Sequence, residues 1–488
     1  MLEALRGLGY STAAALADIV DNSVAAGAGE VRIQFTWDER LSQVAVLDDG
    51  LGMDDGELER AMRLGEKSPL DPREPGDLGR FGIGLKTASF SQCRRLTVTS
   101  TKDGERHCLR WDLDALAASR DDEWRLFEGP APGSEELLSP IIGRNRGTLV
   151  IWEVMDRIVT PGYTVQDFLD LVDRVQRHLA MVFHRYLQGP RPRLLLLVNG
   201  NPVEPWDPFM ADHPAKPWQS PVASMQTKSG RVEVQCHVLP HKDRLTAREH
   251  ESSAGPEGWT AQQGFYVYRN ERLLVASGWL GLGQGRAWTK EEAHRLARIR
   301  LDIPNTADAD WKLDIRKSTA RPPVSLRSWL TRLADDTRER ARSVFAYRGQ
   351  PAPGAGGVPL EQAWRAEQTR SGMRYRIDGR HPAVSAVLEG AGALLPLVNA
   401  MLRVVEETVP VQRIWLDTAE GKETPRTGFS GEPTEQVVEV LQALFEDLVT
   451  RKGMSVRLAR QTLGATEPFQ NYPELIAALP GDESPLGG

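Results

Sequence analysis

The chain has few cysteines, no excess of positive charge and no long apolar run. Its 488 residues include Cys93, Cys108 and Cys236, an odd number at wide spacing that argues against a disulfide framework and a zinc site. The formal net charge of −7 gives no global attraction to nucleic acid. No apolar segment approaches the roughly 20 residues that a membrane helix needs, and the N-terminus lacks a signal-peptide pattern. These absences favour a cytoplasmic protein with no membrane partner.

The richest local source of positive charge is the arginine-rich segment 321–348. Its acidic residues Asp335, Asp336 and Glu339 are interleaved with the arginines, which is typical of a solvated helix face. Direct DNA binding through this segment stays open as the alternative.

The string Asp18-Ile-Val-Asp-Asn22 is predicted to lie on a helix. Apolar residues recur at helical spacing before and within it, and Gly27 and Gly29 follow it. Asp18 and Asn22 are one turn apart and share a face. A side-chain amide is a suitable oxygen ligand for Mg²⁺, and a carboxylate one turn away can orient an attacking water. The alternative is a polar helix face turned to solvent.

A second string, Asp48-Asp-Gly-Leu-Gly52, directly follows the predicted strand 43–47, and an alternating strand at 31–37 precedes it. A carboxylate at the end of a strand can accept the exocyclic amine of adenine, and glycines let the backbone approach the base. Taken alone, the string is equally typical of a turn.

The third string, Gly79-Arg-Phe-Gly-Ile-Gly84, ends a Gly- and Pro-containing stretch, 63–80, that has no hydrophobic period and is predicted to be a lid. A helix is predicted to start after it. Glycine-turn N–H groups and a helix N-terminus together form an anion site, to which Lys86 can add a charge. The string is neither a Walker loop nor a dinucleotide-binding fingerprint. A fourth string, Gly147-Thr148, completes the order.

The four strings, in this order, resemble motifs I to IV of the GHKL (Bergerat-fold) ATPases, the superfamily of gyrase, Hsp90, histidine kinases and MutL. The segments 17–23, 78–89 and 264–274 are most similar to MORC and MutL-like ATPases. Bacterial members of that branch are associated with restriction-modification and phage-defence loci. The resemblance covers roughly residues 1–345.

The resemblance implies a Mg²⁺-dependent ATP site. Asn22 would be the metal ligand, Asp48 would contact adenine N6 and Thr148 would support that contact. Lys86 would hold the phosphates. The other residues that would line the nucleotide are Gly50, Gly52, Met53, Gly79, Arg80, Phe81, Gly82, Ile83 and Gly84.

The general base position falls on Asp18, where members of the superfamily usually have Glu. Aspartate is one methylene shorter, so its reach to the attacking water is reduced and slow hydrolysis is expected. A transducer lysine that senses the γ-phosphate is also implied. Lys317 is the first candidate, with Lys312 and Arg316 as rivals.

The predicted fold class is α+β. A Bergerat-fold ATPase domain is predicted at 1–158, followed by an S5-like transducer domain at 159–348. A Pro/Gly linker is predicted at 349–360, and a mainly helical module at 361–488 with helices at 383–406 and 435–451 and one strand at 411–416.

These expectations combine into an ATP-gated clamp that dimerises when ATP binds and reopens on hydrolysis. The resemblance implies a DNA-processing or defence complex, with DNA and a nuclease, helicase or methyltransferase encoded nearby as partners. The alternatives are an Hsp90-like chaperone ATPase and a nucleotide sensor that does not hydrolyse ATP.

Overall fold

The fold is seen in a computed structural model of the chain, which describes residues 6–7, 9–63, 84–118, 125–307, 310–312, 319–346, 361–369, 372–414 and 435–480. The described residues belong to two compact units, Met1–Gln350 and Pro351–Gly488. The α+β fold class is confirmed, with antiparallel-rich sheets in the first unit and mostly helices in the second.

An eight-stranded sheet forms the first layer of the first unit. Its strands in spatial order are β5-β4-β3-β6-β2-β1-β7-β8, and every neighbouring pair is antiparallel except β1 and β7. In chain order the strands are Glu30–Thr36 (β1), Gln43–Asp48 (β2), Arg95–Lys102 (β3), Glu105–Asp112 (β4), Phe127–Glu128 (β5), Gly147–Glu153 (β6), Leu195–Val198 (β7) and Asn201–Pro202 (β8).

Helices contribute to the core beside this sheet. They are Thr12–Ala25 (α1), Asp55–Met62 (α2), Gly84–Phe90 (α3), Leu113–Ala118 (α4), Val165–Val182 (α5) and His184–Leu187 (α6). The predicted helix around Asp18 is confirmed as α1, which buries Leu16, Ile19 and Val20. Its N-cap is Ser11, whose hydroxyl accepts from the N–H of Ala14 (3.2 Å).

The first sheet and its core extend past the predicted boundary at residue 158. Strand β7 pairs in parallel with β1, and apolar residues of α5 belong to the same core as α1. The residues that complete this layer therefore run on to about β8, because β7 covers the outer edge of β1.

A second, six-stranded sheet follows. Its strands are Trp218–Gln219 (β9), Ala223–Thr227 (β10), Gly230–Val238 (β11), Gly264–Arg269 (β12), Arg272–Val275 (β13) and Ala297–Asp302 (β14), in the order β10-β11-β14-β12-β13 with β9 beside β11. Two further helices of this unit are Ala247–Ser253 (α7) and Val324–Ala346 (α8), and α8 packs against β11 and β14.

Helix α8 contains most of the arginine-rich segment, and some of its arginines are already committed to internal contacts. The guanidinium of Arg338 lies 4.7 Å from the ring centres of both Trp279 and Trp288. That of Arg340 lies 4.6 Å from the ring centre of Trp218. These cation–π contacts hold both guanidinium groups against aromatic rings of the same unit.

The second unit has a hairpin of Trp364–Thr369 (β15) and Gly372–Ile377 (β16), which was not predicted, and five α-helices of at least six residues among its described residues. These are Pro382–Gly390 (α9), Leu395–Glu407 (α10), Glu435–Glu446 (α11), Val456–Gly464 (α12) and Pro473–Ala478 (α13). The predicted strand at 411–416 is wrong where it is described, since 411–414 are helical. A short apolar run does not distinguish the two structures. The predicted linker, 349–360, lies outside the described residues.

No single helix within the described ranges is long and apolar enough to cross a bilayer. The segments Pro382–Gly390 and Gly392–Ile414 meet that test only as a pair, bent by 107°. The helix predicted at 383–406 is thus broken, at Gly392, whose φ is +47°.

Candidate nucleotide-binding site

The best-defined element of the site is the carboxylate of Asp48, the last residue of β2. It is 7% exposed. Its Oδ1 accepts from the backbone N–H groups of Gly50 (3.0 Å) and Thr148 (3.1 Å), and its Oδ2 accepts from the hydroxyl of Ser23 (2.8 Å). Burial raises the pKa of Asp48, and the three hydrogen bonds oppose that rise. The carboxylate is therefore fixed in orientation by α1, the loop after β2, and β6.

These contacts leave capacity for one more donor. A carboxylate offers about four acceptor positions. Among the described residues, two donors occupy Oδ1 and one occupies Oδ2 of Asp48. The open position on Oδ2 is suited to an exocyclic amine.

Ser100, on β3, contacts both the loop after Asp48 and strand β6. The hydroxyl of Ser100 accepts from the N–H of Met53 (2.8 Å) and lies 2.9 Å from the hydroxyl of Thr148. It also lies 3.2 Å from the carbonyl oxygen of Gly147. The loop after Asp48 is thereby held against the end of β3 and the start of β6.

Three glycines permit this close packing. Gly52 has φ +72°, and a Cβ built on it would lie 1.9 Å from the carbonyl oxygen of Thr101. Gly147 has φ +128°, and its Cβ would lie 2.3 Å from the carbonyl oxygen of Asp48. A Cβ on Gly50 would lie 2.9 Å from that of Ala26. The glycines allow the loop to pack on other backbone, while their contact with a base stays a prediction.

Asp18 and Asn22 differ in environment although both lie on α1. Asp18 is buried, and its Oδ2 accepts from the hydroxyl of Tyr10 (3.1 Å). Its Oδ1 lies 3.8 Å from a terminal nitrogen of Arg272. Asn22 is exposed, directly before Ser23, and its amide makes no hydrogen bond to any described residue. The amide of Asn22 is thus available to a ligand beside the Asp48 contact.

Lys86 is the predicted phosphate contact, and that role stays a prediction. It lies on α3 and is 1% exposed. Its Nζ donates to the carbonyl oxygens of Ala61 (2.9 Å) and Arg63 (2.5 Å) at the end of α2. The ammonium group satisfies carbonyls that lack partners within the helix. In this structure Lys86 joins two helices and faces away from solvent.

Several predicted residues lie outside the described part of the chain. They are Gly79, Arg80, Phe81, Gly82, Ile83, Arg316 and Lys317, together with the predicted lid apart from Arg63. Gly84 is described, as the first residue of α3. Lys312 is exposed.

Some residues that contact Asp18, Asp48 and Thr148 were not assigned a role from the sequence. They are Tyr10, Ser23, Ser100 and Arg272. Ser23 directly follows Asn22 in the sequence, and a short hydroxyl beside the predicted site residues was a usable signal. Nothing in the local sequence connects Arg272 to α1.

Comparison with known proteins agrees with this geometry. Residues 10–148 match the family of histidine kinase-, DNA gyrase B- and HSP90-like ATPases. These residues are therefore similar in sequence to a GHKL-type ATPase domain.

The relatives of this GHKL domain come from several branches. The chain is 32% identical over 175 residues to the DNA mismatch repair protein MutL of Rhodospirillum rubrum, which is 36% of this chain and 24% of MutL. It is 33% identical over 90 residues to the ATPase morc-1 of Caenorhabditis elegans, covering 18% and 10%. It is 30% identical over 118 residues to the chaperone protein HtpG of Nitrobacter winogradskyi, covering 22% and 18%. The chain thus matches about a quarter or less of each relative, and the resemblance to GHKL ATPases is confirmed for its N-terminal domain.

Proposed function

We propose that the N-terminal domain binds ATP with Mg²⁺ and hydrolyses it slowly. The observation that carries the proposal is the Asp48 carboxylate, which three donors orient while one acceptor position on Oδ2 stays open for the adenine amine. The exposed amide of Asn22, next to Ser23, fits a Mg²⁺ ligand. The metal would neutralise charge on the phosphates.

The proposed reaction is attack of water on the γ-phosphorus. The P–O bond to the β-phosphate breaks, ADP and inorganic phosphate form, and the proton of the water passes to the Asp18 carboxylate. Since Asp18 is one methylene shorter than the usual glutamate, the expected turnover is slow. Within the second domain, the proposed role of Lys317 is to contact the γ-phosphate.

The test is calorimetry with ATP and Mg²⁺ on the full chain. Asn22→Ala is expected to abolish Mg²⁺-dependent binding, whereas Asn201→Ala, which changes an exposed asparagine on β8, is expected to bind like the parent. Asp18→Ala is expected to bind ATP and lose turnover. If the parent protein gives no heat with ATP and Mg²⁺, the proposed nucleotide site is wrong. If Asp18→Ala hydrolyses ATP at the parental rate, only the assignment of Asp18 as the base is wrong.

For the whole chain we propose an ATP-gated dimer acting in a DNA-processing or anti-phage complex. The similarity of the N-terminal domain to MutL and morc-1 supports this proposal. A non-hydrolysable ATP analogue is expected to double the mass measured by light scattering, and ADP is expected to leave it unchanged. Equal mass in both states would remove the clamp while leaving nucleotide binding intact.

An Hsp90-like chaperone is the second candidate, because HtpG proteins are also among the relatives. DNA-stimulated ATPase activity would favour the first candidate. Stimulation by an unfolded client without a DNA response would favour the chaperone. Retained ATP affinity without measurable turnover would favour a nucleotide sensor, for which the shorter Asp18 is the supporting observation.

A further inference from the structure

The hairpin β12–β13 of the second sheet reaches the ATPase helix α1. Its two turn residues, Asn270 and Glu271, both have positive φ (47° and 65°), as expected for a tight two-residue hairpin turn. The hydroxyl of Tyr186 donates to the carbonyl oxygen of Asn270 (2.6 Å), and Glu271 forms an exposed ion pair with Arg193. The turn is therefore anchored beside α6 and β7.

Arg272 is the first residue after this turn, and its side chain is buried against α1. Its Nε donates to Oδ1 of Asp21 (3.0 Å), and a terminal nitrogen lies 3.8 Å from Oδ1 of Asp18. Another terminal nitrogen donates to the carbonyl oxygen of Leu273 (2.6 Å). The residue is 4% exposed. One guanidinium from the second sheet thus contacts two carboxylates of the ATPase helix.

The two carboxylates need such a partner. Asp18 and Asp21 are three residues apart on α1 and share a face, and both are nearly buried (7% and 2% exposed). Two like charges out of water repel each other, and a buried guanidinium compensates both. The planar fork of arginine can address two acceptors at once, which a lysine ammonium does less well.

The contacts also fix the direction of the Asp18 carboxylate. Tyr10 donates to Oδ2, and Arg272 lies beside Oδ1, so groups from outside α1 flank both oxygens. A general base acts efficiently when another group orients it. The geometry points to Arg272 as a positioning residue that couples the orientation of the base Asp18 to the second domain. This inference rests on the proposed ATPase function.

The test compares Arg272→Gln with Glu271→Gln in the full chain. Arg272→Gln is expected to lower kcat about tenfold or more, since small displacements of a catalytic group are costly, while KM and ATP affinity stay within about threefold. Glu271→Gln removes the neighbouring exposed ion pair and is expected to keep parental kcat. Arg272→Lys is expected to recover part of the loss. An unchanged kcat in folded Arg272→Gln, or a raised KM with parental kcat, would overturn the inference.

A second variant separates positioning from stability. Arg272→Gln leaves Asp21 buried without its guanidinium partner, which lowers stability. The double variant Arg272→Gln with Asp21→Asn also removes the buried Asp21 charge, so it is expected to regain thermal stability while kcat stays low. Recovery of both stability and kcat would show a merely structural role and overturn the inference.

Measurements on the parent protein distinguish a failure of the proposed function from a failure of the positioning role of Arg272. If the parent does not bind ATP, the proposed function itself is wrong. If the parent binds ATP without turnover, the nucleotide site stands, while the proposed hydrolysis and the positioning role of Arg272 are both wrong. If the parent and Arg272→Gln hydrolyse ATP at the same rate, only the positioning role of Arg272 is wrong.

Discussion

The hydroxyl of Ser23 donates a hydrogen bond of 2.8 Å to Oδ2 of Asp48, joining α1 to the end of β2. Asn22, the proposed metal ligand, immediately precedes Ser23, and Asp48 is the proposed adenine contact. A single hydrogen bond therefore connects the elements that carry the two ends of the nucleotide site. This arrangement makes Ser23 the most direct test of whether the Asp48 carboxylate is preorganised.

Ser23→Ala is expected to weaken ATP binding about tenfold, because a hydrogen bond to a buried charged group is worth about 1.5–3 kcal/mol. The same bond lowers the pKa of Asp48, which burial raises. Its removal should therefore raise that pKa further. Since the ionised carboxylate is the better acceptor, ATP affinity should be lost at a higher pH in Ser23→Ala as the solution is acidified. Calorimetry across a pH series measures both effects.

Ser134→Ala is the matched control for Ser23. The hydroxyl of Ser134 also donates to a buried carboxylate, that of Glu153 (2.6 Å), at another place on the same sheet. Its removal is expected to leave ATP affinity and its pH dependence unchanged. Equal effects of the two variants would mean that Ser23 supports the fold and has no special relation to the nucleotide.

Gly52→Ala is expected to destabilise the ATPase domain strongly. A Cβ there would lie 1.9 Å from the carbonyl oxygen of Thr101, at a φ of +72°. The backbone conformation alone costs about 1–2 kcal/mol, and the collision requires the loop to move. Gly104→Ala is the control, since Gly104 has φ +85° with open space around it. Urea unfolding should show a clearly larger loss for Gly52→Ala, and equal losses would contradict the observed packing.

Lys86→Met is expected to lower stability in the absence of nucleotide. The ammonium group donates to the carbonyls of Ala61 and Arg63, and its loss leaves two carbonyls at the end of α2 without that partner, at about 1–3 kcal/mol. Thermal unfolding of the nucleotide-free protein measures this. If stability is unchanged while ATP affinity falls, the phosphate role predicted from the sequence is the correct one.

The local features of the site could be predicted from the sequence, whereas its long-range contacts could not. Helical spacing and Gly27 were enough to predict α1, and Asp48 was correctly placed at the end of a buried strand. In contrast, Arg272 and Asp21 are 251 positions apart. Their pairing depends on how the second sheet packs on α1, which no local periodicity encodes.

The domain boundary shows the same limit. Leu195–Val198 (β7) lies beyond the predicted boundary at residue 158, yet its parallel pairing with β1 places it in the first sheet. Strand propensity determines that a segment is extended. Which strand it pairs with depends on tertiary packing. The contacts of the Lys86 side chain also depend on tertiary packing, because its partners are carbonyls at the end of another helix.

Two buried histidines, His184 and His237, predict how stability changes with pH. Burial lowers the pKa of both His184 and His237 to about 4. An unfolded chain takes up these protons near pH 6.5, so between about pH 6.5 and 4 the unfolded state binds more protons than the folded state. The free energy of unfolding should therefore fall as the pH drops through this window.

His237→Phe is expected to raise stability at neutral pH and to weaken this pH dependence. Neither ring nitrogen of His237 has a hydrogen-bond partner among the described residues, and its ring packs 4.6 Å from that of Phe209. Replacing an unsatisfied buried polar ring with an apolar one should add about 1 kcal/mol. His184→Phe is the contrasting variant, because Nε2 of His184 lies 2.8 Å from the hydroxyl of Tyr268, which would lose its partner and destabilise the protein. Urea unfolding at about pH 7.5 and about pH 5.5 compares the three proteins. A His237→Phe protein that is less stable at the higher pH, or that keeps the parental pH dependence, would show that His237 is not a buried neutral ring.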